Sequence, residues 1–290
     1  MRVTEGRLIE LQTAGIAKAR TDVARAGQKI ASGRALEVPS DDPVAWIEGA
    51  RVRARQEMSQ RRGSAIGRAE TRLVETEGAL AVIGDALIRA QEIAVQMATP
   101  TVTAAERAQA AVEVRALLDT AVAAANTRGH DGEYLLAGDQ GLTAPFSAVG
   151  VYSGDSGTRL IEAGEGVRHA VTVSGARLTA ASGIDVLPAL DALATALAGN
   201  VVAGIQAALD AMNAAVGQVA DARSEAGYRI HALRDSEDAR VAFENRLAET
   251  QALTSGTDMI EAASELARAS NALEAARLSA ERIIELARPR

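Results

Sequence analysis

Two short runs carry residue types that could do chemistry. Ser40-Asp41-Asp42-Pro43 sets adjacent carboxylates beside a hydroxyl, material for acid–base work or a hard cation. Gly154-Asp155-Ser156-Gly157 matches part of the nucleophile motif of trypsin-like proteases. That chemistry needs a histidine base and an oxyanion hole held by two β-barrels, and the chain offers only one stretch of β pattern. His130, His169 and His231 are far apart in sequence, and His130, beside Asp131 and Glu133, lacks the H-E-x-x-H spacing of a metal site. Gly164-Glu165-Gly166 has neither the third glycine nor the strand–loop–helix context of a phosphate cradle. The chain has no cysteine, which removes disulfides, thiolate catalysis and Cys-based metal sites. No catalytic constellation is assembled by spacing, and no cofactor or metal is expected.

Ser40-Asp41-Asp42-Pro43 has a simpler reading as the start of a helix. Proline suits the first helical position, where its missing N–H costs nothing. Asp42 before it is then the N-cap, accepting an orphan backbone N–H at the positive end of the helix dipole. Gly154-Asp155-Ser156-Gly157 reads as a glycine-rich turn.

The elements around these runs are helical. Residues 5–31 form a sparse apolar pattern with Leu8, Leu11, Ile16, Val23 and Ile30, broken at Gly33. From Pro43 to about Ala98, the positions Ile66, Ala69, Leu73, Thr76, Leu80, Ile83, Leu87, Ala90, Ala94 and Met97 fall on alternating three- and four-residue steps. That is a heptad seam interrupted by one threonine, on a helix about 80 Å long that needs partner helices. A second helix is expected over residues 103–126. Residues 133–183 change texture, with short β-forming runs between glycines. Helical pattern resumes near residue 185 and continues through 200–254. The last helix, about 257–287, carries a further seam of Met259, Ala262, Leu266, Ala269, Leu273, Ala276, Ala280, Ile283 and Ala287. Aromatic residues make up only 2% of a chain that is 48% hydrophobic. Alanine-rich seams of this kind suit closely approaching helices better than a thick globular core. The expected fold is mainly α, a long antiparallel helical rod or coiled-coil bundle formed by both termini, with a small central β-rich domain.

A net charge of −7 argues against general nucleic-acid binding. Arg51, Arg53, Arg55, Arg61 and Arg62 spread around several helix faces and read as solvated surface. No apolar run is long enough for a membrane span, and Met1-Arg2-Val3-Thr4-Glu5-Gly6-Arg7 leads into no apolar segment of the Sec type.

"QKIASGRALEVPSDDPVAW", residues 28–46, resembles the N-terminal signature of the bacterial flagellin family, where a helix ends at Ser-Gly and an Asp-Asp pair opens the next. The Met1-Arg2-Val3-Thr4 start is similar to the family's opening. "YLLAGDQGLTAPF", 134–146, resembles its Y-x-F-x-G…P-F segment, with Leu136 where phenylalanine is common. "DMIEAASELARASNALEAARLSAERI" resembles its C-terminal helix. The P-S-D-D-P form is similar to that of family members at the hook–filament junction, whereas filament subunits usually carry A-D-D-A-A. The Arg288-Pro289-Arg290 ending departs from the apolar ending common in the family.

The resemblance implies three parts. Residues 1–40 with 256–290 would pair as a terminal helical domain, poorly ordered when free. Residues 41–132 with 185–255 would form a helical rod, and 133–184 a small outer β-rich domain. It implies a non-enzymatic structural subunit of the extracellular flagellum that joins hook to filament after type III export. Its partners would be copies of itself, neighbouring hook-associated and flagellin subunits, and a cytoplasmic export chaperone, with no nucleic acid and no membrane insertion. Ser40, Asp41, Asp42 and Pro43 would set the hinge into the rod. Met259, Ala262, Leu266, Ala269, Leu273, Ala276 and Ile283 would form the assembly or chaperone interface. A filament subunit, a coiled-coil scaffold and a serine hydrolase built around Ser156 are the alternatives.

Overall fold

The computed structural model describes residues 2–34, 38–40 and 42–286, without the side chains of some positions near the termini and at residue 255. Among them the helices are α1 (Arg2–Ser32), α2 (Pro43–Met97), α3 (Ala104–Ala125), α4 (Val186–Ala198), α5 (Val202–Ser255) and α6 (Met259–Leu286). One antiparallel hairpin, β1 (Leu160–Gly164) and β2 (Val167–Ala170), pairs Leu160 with Ala170 and Glu162 with Arg168. The fold is mainly α. The chain divides into two compact units, Met1–Met58 with Phe243–Arg290 and Ser59–Ala242. The terminal unit takes in the opening turns of α2 and the last turns of α5.

In the terminal unit α1 and α6 pair antiparallel. Arg34 bridges to Gly256, the Thr257 N–H donates to the Gly33 carbonyl at 3.1 Å, and further along Lys29 meets Glu265 at 3.0 Å. Gly33 ends α1 in the left-handed region, at φ 65°, with its N–H on the Lys29 carbonyl at 2.9 Å. Gln56 of α2 and Gln251 of α5 are joined by a 2.9 Å hydrogen bond between their amides.

The second unit holds most of the core. Leu80, Ile83, Leu87, Ala90 and Ala94 of α2 pack with Val114, Leu118 and Ala121 of α3, Leu187, Leu190, Leu193 and Leu197 of α4, and Ile205, Met212 and Val219 of α5. The α2 and α5 segments run antiparallel, as ion pairs between Glu77 and Arg223 (2.7 Å) and between Glu70 and Arg234 (2.6 Å) record. At the start of α3 the Thr103 N–H donates to Glu106, and the Thr103 hydroxyl accepts the Glu106 N–H, a reciprocal capping box. The Thr103 N–H, and then the Thr103 hydroxyl, which also donates to the carboxylate at 2.8 Å, hold the Glu106 carboxyl below the usual glutamate range.

Residues 133–184 form less strand than their composition suggests. Two runs, "TRLIEAG" and "HAVTVSG", contribute the hairpin, whose Ala163, together with Val171 and Val173 just beyond it, packs on Ile66 and Leu73 of α2 and Ala226, Ile230 and Leu233 of α5. "EYLLAG" makes no strand: Leu135, Leu136 and Ala137 are all buried in succession, with the Leu135 N–H on the Thr127 carbonyl at 3.0 Å. Gly138 then turns the chain at φ 70°, where a Cβ would lie 2.0 Å from Asp155 Oδ1.

Candidate assembly interface

The junction between α1 and α2 is built on Asp42. Its Oδ1 accepts the N–H groups of Val44 at 2.9 Å and Ala45 at 3.0 Å, and Pro43 is the first residue of α2. Two of the helix's orphan donors are satisfied in this way, and the negative charge sits at the positive end of the dipole. Ser40 and Pro43 are exposed, and Asp41 lies outside the described residues. Asp258 does the same work at α6, accepting from Ile260 at 2.8 Å and Glu261 at 3.2 Å. The sequence carried the signal for this second cap, an Asp immediately before the apolar seam, although the helix start was read at about 257.

The seam residues of α6 divide by burial. Ala262 is 2% exposed, Leu266, Ala269, Leu273 and Ala276 are half-buried, and Met259 is 53% exposed. The side chain of Ile283 lies outside the described residues. On α1 the matching positions are Ala19 and Ala26, both buried, with Ile16, Val23 and Ile30 half-buried. Small residues let the backbones approach closely, but two helices alone cannot enclose leucines that stand on the flank of the seam. Among the described residues, the buried apolar side chains of the terminal unit are Ala19, Ala26, Val52, Leu247 and Ala262, a core dominated by alanine.

The other candidates resolve into structural roles. Asp155 Oδ1 accepts the N–H groups of Asp139 and Gly157, each at 2.8 Å, and the Tyr152 hydroxyl donates to the Asp155 carbonyl at 2.6 Å. Gly154 passes so close to Tyr152 that a Cβ would lie 2.5 Å from its hydroxyl. The run is thus a turn wrapped around a tyrosine, whose own ionisation burial pushes up. His169 Nε2 pairs with Ser236 Oγ at 2.7 Å, and that hydroxyl donates to the Ala232 carbonyl at 3.0 Å. The hydroxyl that the imidazole meets is thus that of Ser236 on α5, and not that of Ser156. His130 faces Glu75, with its Nδ1 3.6 Å from the carboxylate. Among the described residues no group of three or more His, Cys, Asp or Glu side chains is placed to hold a metal ion, and no helix is long and apolar enough to cross a membrane.

The sequence reading missed two buried arginines. Arg107 is 3% exposed: its Nε donates to the Met97 carbonyl at 3.0 Å, one Nη to the Thr99 carbonyl at 2.9 Å and the other to Asn200 Oδ1. It ties the end of α2 to the turn between α4 and α5. Arg72 is equally enclosed, against the segment that follows α3. Both signals were present: Arg107 continues the α3 seam of Ala111, Val114, Leu118 and Ala121, and Arg72 stands three and four residues from Ala69 and Thr76.

Comparison with known proteins gives the arrangement its context. Residues 10–141 match the bacterial flagellin N-terminal helical region. The flagellar hook-associated protein 3 of Salmonella typhimurium is 26% identical over 155 residues, 53% of this chain and 49% of that protein. The chain spans about half the length of the curated relatives it matches. Among solved structures, a putative flagellar hook-associated protein from Vibrio parahaemolyticus superposes with a TM-score of 0.69 at 23% identity, over 74% of this chain and 99% of that one. Xanthomonas campestris FlgL superposes with a TM-score of 0.61 at 18% identity, over 68% and 98%. At these identities the structural likeness establishes the fold.

Proposed function

We propose that this chain, whose residues 10–141 match the bacterial flagellin N-terminal helical region, is a non-enzymatic subunit that joins the flagellar hook to its filament. The observation that carries the proposal is the incompletely closed α1–α6 pair. Its core is mostly alanine, and Leu266 and Leu273 stay half-buried beside an exposed Met259. Neighbouring subunits in an assembly would complete that burial, and the export chaperone would cover the same C-terminal seam before secretion. The names of the curated relatives support the junction over the filament itself. In this reading the chain leaves the cell through the flagellar type III apparatus and works outside it. Asp42 and Pro43 set the hinge out of the terminal pair, and the Ser59–Ala242 unit is the folded body that the subunit presents.

A deletion strain tests the proposal by electron microscopy. Intact hooks without attached filament, and flagellin monomer shed into the medium, are the expected result. Shortened or altered filaments with little shed monomer would instead make the chain a filament subunit.

A further inference from the structure

We propose that Arg72 is a charge-operated clasp that holds the strap 128–134 on α2 and releases it when its carboxylate partners are neutralised. The Arg72 side chain is 6% exposed. One Nη lies 2.6 Å from Asp131 Oδ2 and 3.7 Å from Glu133 Oε2, and the other donates to the Tyr134 carbonyl at 3.0 Å. Its Nε is buried with no acceptor, so the guanidinium's satisfaction rests on the strap alone.

The charged groups facing the clasp come from three elements. Helix α2 supplies Arg72 and Glu75, which accepts the His130 N–H at 3.3 Å. The strap supplies His130, Asp131 and Glu133, with Arg128 over the Tyr134 ring at 4.5 Å. The segments beyond supply Arg159, paired with Glu133 and facing Asp131 and Asp139. At Gly129 a Cβ would lie 2.9 Å from Glu75 Oε2, so the strap runs hard against α2.

A guanidinium cannot shed its proton. Neutralising Asp131 and Glu133 therefore strands a full positive charge in a nearly closed site, a situation relieved only by admitting water. Burial raises the Asp131 carboxyl, but the Glu133 N–H and the Arg72 charge outweigh it and hold the group below the usual aspartate range. The sign follows: the clasp is at full strength above that range and fails as pH falls through and below it. Because Leu135 and Leu136 remain packed in the core, opening is confined to the strap.

Hydrogen exchange on the full chain, corrected for intrinsic rates, tests this at the amides of Gly129, Gly132 and Tyr134, which donate to Glu133, Gly129 and Gly141. Between about pH 6 and pH 3 their protection should fall at least about tenfold, while Leu87 and Leu190 keep theirs. Asp131→Asn should lower strap protection already at about pH 6, and Arg72→Met should abolish the pH dependence. Simultaneous loss at strap and helices, or an Asp131→Asn strap as protected as the wild type, would overturn the proposal.

Discussion

Arg107 and Thr76 sit where an apolar seam should run, and each is buried because its polar atoms are satisfied locally. The Thr76 hydroxyl donates to the Arg72 carbonyl one turn back at 2.8 Å, so a threonine costs the α2 seam little. Arg107 spends its donors on two carbonyls at the end of α2 and on Asn200. Such roles are invisible to a reading by residue class, which assigns arginine to water and needs tertiary partners to assign it elsewhere. Arg107→Met should leave those acceptors unpaired and destabilise the Ser59–Ala242 unit by about 2–4 kcal/mol, read from the urea midpoint. An unchanged midpoint would mean that the three bonds contribute nothing net.

Elements were the most legible scale. The expected helices over 43–98 and 103–126 are observed as Pro43–Met97 and Ala104–Ala125, because heptad seams and caps are local signals. The central segment was less legible, since Leu135, Leu136 and Ala137 are all buried without a strand's alternation and Tyr152 organises its turn through contacts with Leu136 and Ser174, distant in sequence. Burial also divides α2 into faces that differ over two residues. Leu80 is 0% exposed and Val82 42%. Leu80→Ala should cost about 2–5 kcal/mol in urea unfolding. Val82→Ala should stay within about 0.5 kcal/mol. Equal losses at the two sites would contradict the assigned faces.

For the whole molecule, the two units differ in how much they bury. The Ser59–Ala242 unit closes leucine, isoleucine and valine from four helices into one core, whereas the terminal unit encloses mainly alanine. Apolar burial scales with the area removed from water, so an alanine core supplies a fraction of what leucines would. The terminal pair is therefore the part whose stability should depend on neighbours, and the sequence indicated this through seams too thin to stand alone. The most direct measurement is assembly by the double variant Leu266→Asp with Leu273→Asp, produced in a strain lacking the wild-type chain. The account predicts a protein whose Ser59–Ala242 unit keeps its hydrogen-exchange protection but which fails to connect hook to filament. Normal filaments on normal hooks in that strain would contradict it.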